Sequence, residues 1–466
     1  MGLFGRERDE RVAGRWADPD LPKVVVVGGG FGGFYALRRL ERSLPAEQAN
    51  LMLVAPNDYL LYSPLLPEVA TGVLDPRDIA VPLRQTLRRT RPEFGHVTGV
   101  DFDARTVTVL GRDGQDTVRD WDRLLLAPGS ITRQFGIPGL AENARGMKTL
   151  EEAIFLRNHL LAQLDLADTI PDTPEGHLER KERLTVVAVG AGYTGTEFVA
   201  QMQKWIHDVA DRWDSFGPGD IRWLLLDMAP NVLPELGPRL GADALTVLKD
   251  RGVEVRLKTS VASATPTSVT LTDDDVIPTR TLVWSAGVAP SPLIASLGLP
   301  TAKGRLVVND DLSVPGLENV WAIGDAAAVP DLTKPAGDDG ERPVAAPTAQ
   351  NAQRQGVAAA RNIAASFGVG QAKPYSHRDL GLVADLGGPE AVAKPLGVSL
   401  SGRPAKAVTR AYHLYALPSG AAKLRAATEW FLDAVLPSRV VELDDVKPED
   451  ARMSAAQKTD IYKSDK

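Results

Sequence analysis

The 466-residue chain contains no cysteine. That absence excludes disulfides, thiolate nucleophiles, Fe–S clusters and thiolate zinc sites together. Histidine is scarce as well: six are scattered along the chain with no H-x-x-x-H pair, so a metal site has little to draw on and none is expected. No apolar run reaches the roughly 20 residues of a spanning helix, and no secretory h-region opens the chain. Gly2 is followed by Arg6 where a myristoylation signal wants Ser or Thr. An excess of positive charge is missing too. The formal net charge of −7 argues against broad nucleic-acid binding. What remains is an ordinary globular composition, 44% hydrophobic and 24% charged, long enough for two or three domains. Any redox chemistry here needs an organic cofactor.

Two glycine-rich turns stand out. "KVVVVGGGFGG" carries Gly28, Gly30 and Gly33 in G-x-G-x-x-G spacing, and "TVVAVGAGYTGTE" repeats it with Gly190, Gly192 and Gly195. In such a turn the first glycine permits a tight strand-to-helix reversal. The second lets the backbone approach a pyrophosphate, and the third lets the helix pack close on the strand. Both copies follow a strand-like run and precede a helix-like one, as the mechanism requires. The duplication predicts two dinucleotide sites.

A carboxylate is expected at the end of the next strand, where it bonds ribose hydroxyls. For the second copy, "IRWLLLDMAP" supplies Asp227 with no Arg after it to take a 2′-phosphate, which favours NAD(H) over NADP(H). For the first copy, "ANLMLVAPND" has Ala55 at that position, with Asn57 and Asp58 a short step later. Ala55 is a departure from the pattern.

From about residue 22 to 443 the chain resembles the flavoprotein pyridine-nucleotide reductases, and within them the type II, non-proton-pumping NADH:quinone oxidoreductases. Beyond the glycine turns, the resemblance rests on "NDYLLYSPLLPEVATG" (57–72), "DRLLLAPGS" (122–130), "TLVWSAGV" (281–288) and "NVWAIGDAAA" (319–328). It continues in "PTAQNAQRQG" (347–356) and "YHLYALPSG" (412–420). The fold it implies is α/β, with two Rossmann-like dinucleotide-binding domains and a C-terminal membrane-facing helical region. The discontinuous FAD domain spans 22–150 and 283–395, with the NAD domain inserted at 151–282. FAD would be held by Gly28, Gly30, Phe31, Gly33, Ala127, Gly129, Gly324 and Asp325. NADH would be held by Gly190, Gly192, Tyr193, Gly195, Asp227 and Gly287. Relatives that act on disulfides or sulfide carry a redox cysteine pair beside the flavin. This chain cannot, so the implied route is hydride from NADH directly to FAD N5, then electrons to a membrane quinone in a ping-pong cycle.

The resemblance also implies an acceptor end. Its A-Q-x-A-x-Q pattern is matched here by Gln350, while Arg354 stands in place of the second glutamine. These positions are i and i+4 and so share a helix face. Glu197, two residues past the second glycine turn, matches a family glutamate near the nicotinamide–flavin contact. It would also suit the helix dipole there. Tyr62 and Glu68 fall in a loop that the resemblance places beside the flavin and the quinone tunnel.

Residues 403–425 carry Arg403, Lys406, Arg410, Lys423 and Arg425 with no acid. The following run sets Leu424, Ala427, Phe431 and Val435 on one stripe, and the whole region 396–443 is expected to associate with a membrane. Residues 403–436 are expected to contact an anionic surface. The implied location is cytoplasmic and peripheral, on the inner face of the cell membrane, and a homodimer is compatible. Residues 1–21 and 444–466 are polar and read as disordered; 168–183 reads as a linker or exposed hairpin. Two other functions stay open on the residues: an NADH-dependent flavoprotein reductase with a soluble acceptor, or a nucleotide-binding scaffold with weak flavin binding, for which Ala55 is the main support.

Overall fold

The structure is a computed structural model that describes residues 18–337, 340, 342–377, 380–442 and 446–462. Strand β1 (Lys23–Val27) is a run of valines buried on both faces, the pattern of a central strand in a parallel sheet. The first glycine turn leads into α1 (Phe31–Ser43), which buries Phe34, Leu37 and Leu40 at helical spacing. Strand β2 (Asn50–Ala55), wholly buried, lies parallel to β1 with Val54 opposite Val27. The short helix α2 (Leu66–Ala70) follows. Strand β3 (Arg91–Asp101) begins parallel to β2, Phe94 facing Ala55. It then continues as the first strand of an antiparallel meander with β4 (Thr106–Gly111) and β5 (Asp116–Asp120). Strand β6 (Arg123–Leu126) returns to the other side of β1.

The chain leaves this unit through β7 (Ser130–Thr132). A second unit contains β8 (Ala144–Arg145), α3 (Leu150–Asp168), β9 (Thr185–Val189), α4 (Tyr193–Val209), β10 (Arg222–Asp227), β11 (Val253–Leu257) and β12 (Thr281–Trp284). Its sheet has the order β8-β12-β9-β10-β11, parallel throughout. Alternate residues of β9 serve two cores: Val186 and Ala188 face one, Val187 and Val189 the other. Strand β13 (Val288–Pro290) crosses back antiparallel to β7, and β14 (Val320–Ala322) completes the first sheet as β14-β6-β1-β2-β3-β4-β5.

Helix α5 (Ala349–Ala365) packs on α1 so closely that a β-carbon on Gly356 would lie 2.3 Å from the Gly32 carbonyl oxygen. A small antiparallel sheet, β15 (Val383–Asp385), β16 (Ala391–Ala393) and β17 (Leu400–Ser401), precedes α6 (Gly402–Ala416) and α7 (Gly420–Val435). No helix among the described residues is long and apolar enough to cross a membrane.

Two expectations change. The stretch 168–183 is no hairpin: Thr173 accepts from the Gly176 amide and caps a helix over Pro174–Arg183. Of the tail expected to be disordered, 444, 445 and 463–466 lie outside the described residues, but 446–462 pack on the protein. They form α8 (Met453–Ala456), with Ala451 and Met453 buried. A few small or apolar side chains fill existing surface there, so the segment needs no core of its own. Residues 1–17 lie outside the described residues, while Asp18 accepts from the Asn50 side chain at 2.7 Å.

Candidate dinucleotide and acceptor site

The two glycine turns have one geometry. Gly28 and Gly190 sit at φ +106° and +110°, a region that side chains resist. A β-carbon on Gly28 would lie 2.0 Å from the Ala127 carbonyl oxygen, and one on Gly33 or Gly195 would lie 1.9 Å from the carbonyl oxygen of the turn's first glycine. The middle glycines differ: a β-carbon on Gly30 or Gly192 meets nothing within 4 Å. Gly30 and Gly192 are also the N-caps of α1 and α4, and neither helix end is capped by a side chain. Open space in front of unsatisfied helix N–H groups is what a pyrophosphate requires, so the residues fit two dinucleotides. Phe31 and Tyr193 open the two helices, and Phe31 meets Tyr62 edge-on at 5.9 Å.

At the end of β10 the Asp227 carboxylate accepts from the Ala191 amide of its own glycine turn and, at 2.6 Å, from Ala229. Strand β2 ends instead in buried Ala55, which brings no carboxylate to the position that Asp227 fills on β10. Asn57 is bonded to Lys458, 2.7 Å away. Gly324 takes φ +71°, and its amide donates to Gln355 Oε1 at 2.7 Å. The Asp325 carboxylate accepts from the Ser130 hydroxyl at 2.5 Å, and Lys148 Nζ donates to the same hydroxyl oxygen at 3.1 Å. Ala127, Gly129 and Gly287 lie where the chain passes between the units. The Gly129 carbonyl accepts from the Ser291 amide at 3.0 Å, and the Gly287 carbonyl from Arg133 at 3.3 Å.

Glu197, on the first turns of α4, belongs to a buried polar cluster that sequence reasoning saw only in pieces. Its Oε1 accepts from the Asp385 amide at 2.8 Å. Burial pushes its carboxyl well above the usual range. The Asp385 amide opposes the shift, while the Asp385 and Glu68 carboxylates add to it. Glu68 is raised by burial too, opposed by Arg410, whose Nη1 lies 3.6 Å from Glu68 Oε2, and by a bond from Trp430 Nε1. Arg410 stacks over the Trp430 ring at 4.1 Å. Lys406 Nζ grips both Asp385 oxygens, at 2.6 and 2.5 Å. His413, held neutral by burial with its pKa lowered to about 4, bonds the Tyr62 hydroxyl at 3.1 Å.

The cluster corrects the reading of the basic run. Lys406 and Arg410 do not form a membrane-facing patch; their side chains are only 16% and 23% exposed and neutralise internal carboxylates. A buried carboxylate needs such a partner. The apolar stripe does face outward: Leu424 and Phe431 are 70% and 65% exposed, while Ala422 and Ala426 on the opposite face pack inward. The available signal for the inward cations was their i, i+4 spacing on a helix that follows a buried acid-bearing strand.

Gln350 and Arg354 both line a cavity of about 240 Å³, with Tyr35, Arg38, Tyr412 and Lys423 around them. Gln350 is largely committed, its Oε1 accepting from His377 Nε2 at 2.9 Å and the Leu380 amide at 3.1 Å. Arg354 Nε is buried without a hydrogen-bond partner among the described residues. Gln355, one step on, turns away to the Gly324 amide.

Comparison with known proteins accords with this geometry. A model of the pyridine nucleotide-disulphide oxidoreductase family matches residues 22–356. The type II NADH:quinone oxidoreductase NdhA of Mycobacterium tuberculosis is 38% identical over 322 residues, covering 66% of this chain and 67% of that one. The type II NADH:quinone oxidoreductase Ndh of the same organism is 32% identical over 427 residues, covering 88% of each. In fold the chain is similar to NDH2 from Plasmodium falciparum, solved in complex with NADH. The TM-score is 0.81 at 18% identity, covering 90% of this chain and 99% of that one.

Proposed function

The chain belongs to the pyridine nucleotide-disulphide oxidoreductase family and, within it, to the type II NADH:quinone oxidoreductases, and from that premise we propose how its residues divide the work. It is an enzyme that oxidises NADH with a quinone as acceptor. The finer reading is that FAD sits on the first glycine turn and NADH on the second, and that the two half-reactions alternate without proton pumping. The observation that supports two dinucleotide sites is the repeated cradle, in which only the middle glycine of each turn faces open space. Bound there, FAD supplies a two-electron carrier between NADH and the acceptor.

The protein's own part is positioning and electrostatics. The N-termini of α1 and α4 offer backbone N–H groups to the two pyrophosphates. Gly324 and Asp325 would hold the sugar-alcohol portion of the flavin nucleotide, the Asp325 carboxylate being fixed by the Ser130 hydroxyl, which Lys148 in turn orients. Asp227 bonds the NADH ribose and repels a 2′-phosphate. Glu197, its carboxyl pushed towards the protonated form by burial, stands two residues past the second glycine turn, where its Oε1 is fixed by the Asp385 amide. Arg354 presents an uncommitted guanidinium to the acceptor, where developing negative charge is stabilised. The exposed face of α7, with Leu424 and Phe431, rests on an anionic bilayer, so that a lipid-soluble quinone reaches the cavity beside it.

Stopped-flow absorbance tests the division of roles. NADH should bleach the flavin band in the absence of oxygen, and a quinone should restore it. Arg354→Ala should slow only the second step. Absence of a flavin band in protein supplied with FAD would overturn the reading, and equal slowing of both steps would remove Arg354 from the acceptor end.

A further inference from the structure

The segment 446–462 runs from the second unit to the first and ends at the C-terminal edge of the first sheet. Met453 is buried in the second unit's core with Leu140 and Val187. Gln457 accepts from the Thr132 amide at 2.7 Å, donates to Thr132 Oγ1 at 2.8 Å and donates to Glu152 Oε1 at 2.9 Å. Lys458 Nζ donates to Asn57 Oδ1 at 2.7 Å, with Asp58 and Glu151 close enough to act on its charge. The Tyr462 hydroxyl donates to the Val97 carbonyl at 3.0 Å, and its ring packs on the first unit's core.

These anchor points are not scattered. Asn57 lies two residues beyond Ala55, the last residue of β2. Val97 lies three residues beyond Phe94, the last β3 residue paired with β2. Lys458 therefore stands at the C-terminal end of β2, and Tyr462 just past the point where β3 stops pairing with β2. In a fold with this glycine turn, the adenosine half of the dinucleotide runs along those strand ends. It is also the place where Ala55 leaves the ribose without its carboxylate.

We propose that residues 457–462 form the outer wall of the adenosine end of the FAD groove, and that Lys458, positioned by Tyr462, holds FAD there in place of the strand-end acid. An ammonium group has three donors, and Asn57 takes one, leaving two for ribose or phosphate oxygens. Its charge suits an anionic dinucleotide as the acid would not. Tyr462 pins the end of the strap to Val97 and keeps Lys458 over the groove. The proposal rests on the assignment of FAD to the first turn and is independent of the acceptor.

FMN lacks the adenosine half and provides the discriminating probe. Apoprotein would be titrated separately with FAD and with FMN, following quenching of flavin fluorescence. Lys458→Ala should weaken FAD binding about tenfold, the equivalent of one hydrogen bond to a charged group. Tyr462→Phe should weaken it about 3- to 10-fold by the same scale. Lys458→Gln, which keeps a donor for Asn57 without the charge, should fall between parent and Lys458→Ala. FMN affinity should not change in any of the three. Unchanged FAD affinity would overturn the proposal. So would equal losses for FAD and FMN, which would reduce the strap to a general structural tie, or tighter FAD binding, which would make it a competitor for the groove. If the parent protein bound neither flavin, the reading of the first turn would fail, and the strap's role with it.

Discussion

Replacing Lys406 with methionine removes the cation that Asp385 depends on while keeping a stem of similar length. Lys406 Nζ lies 2.6 and 2.5 Å from the two Asp385 oxygens, and the side chains are 16% and 5% exposed. At about 2.5 Å and an effective dielectric near 20, the gross attraction is about 6–7 kcal/mol. Desolvation of both groups offsets much of it, and breaking such a pair from one side costs about 3–5 kcal/mol. Because Lys406 keeps some contact with water, the lower end applies, about 3 kcal/mol. The reverse change, Asp385→Asn, leaves a cation that can still reach solvent and should cost less, about 1–2 kcal/mol. The doubly neutral variant strands no charge and preserves the Asp385 amide that bonds Glu197. It should lose only about 1–2 kcal/mol, giving a coupling of about 2–4 kcal/mol. Urea unfolding of the four proteins, followed by tryptophan fluorescence, measures the cycle. Additivity within about 0.5 kcal/mol would refute the claim that these two groups form one buried unit.

The glycine turns offer a contrast within one motif. Gly33→Ala should lower stability and flavin content together, because its β-carbon would meet the Gly28 carbonyl at 1.9 Å, whereas Gly30→Ala should leave the unfolding transition in place and reduce only flavin occupancy. Absorbance at the flavin band beside urea unfolding separates the two outcomes. At the other turn, NADH should bleach the flavin far faster than NADPH, and Asp227→Ala should narrow that gap, at a cost to NADH of about 1–3 kcal/mol; comparable rates with both nucleotides in the parent would remove Asp227 from this role. The buried histidines set a pH limit. His159 and His413 have pKa values lowered from 6.5 to about 4 by burial, so the unfolded chain binds more protons below pH 6.5. Stability from this source is full above pH 6.5 and falls towards pH 4, by about 2 kcal/mol per histidine at pH 5. His159→Gln should flatten the slope of the urea midpoint between pH 7 and 5, and an unchanged slope would contradict the burial argument.

The parts of the fold that could be read in the sequence are those whose physics is local. A tight turn at φ +106° needs glycine wherever it occurs, so Gly28 and Gly190 announce themselves and bring their strands and helices with them. Asp227 is similarly visible, because it ends β10 directly after the apolar run Trp223–Leu226. The inward role of Lys406 and Arg410 is hidden in the sequence because a helix carrying several cations and no acid looks like a solvated face, and their partners lie elsewhere. Asp385 is 21 residues before Lys406, and Glu68 belongs to a different unit of the chain 342 residues before Arg410. The packing of the tail is hidden for a related reason. Composition reports whether a segment can build a core, and 446–462 cannot. It does not report whether the rest of the protein already offers a surface that Met453, Gln457 and Tyr462 complete. Ala55 connects the two cases. A site judged by its own strand lacks an acid and looks weak, yet the groups that stand at that strand end in the folded chain, Asn57 and Lys458, are 401 residues apart in sequence. A departure from a local motif is therefore better treated as a question about what else the fold brings to that point than as evidence that the site has been lost.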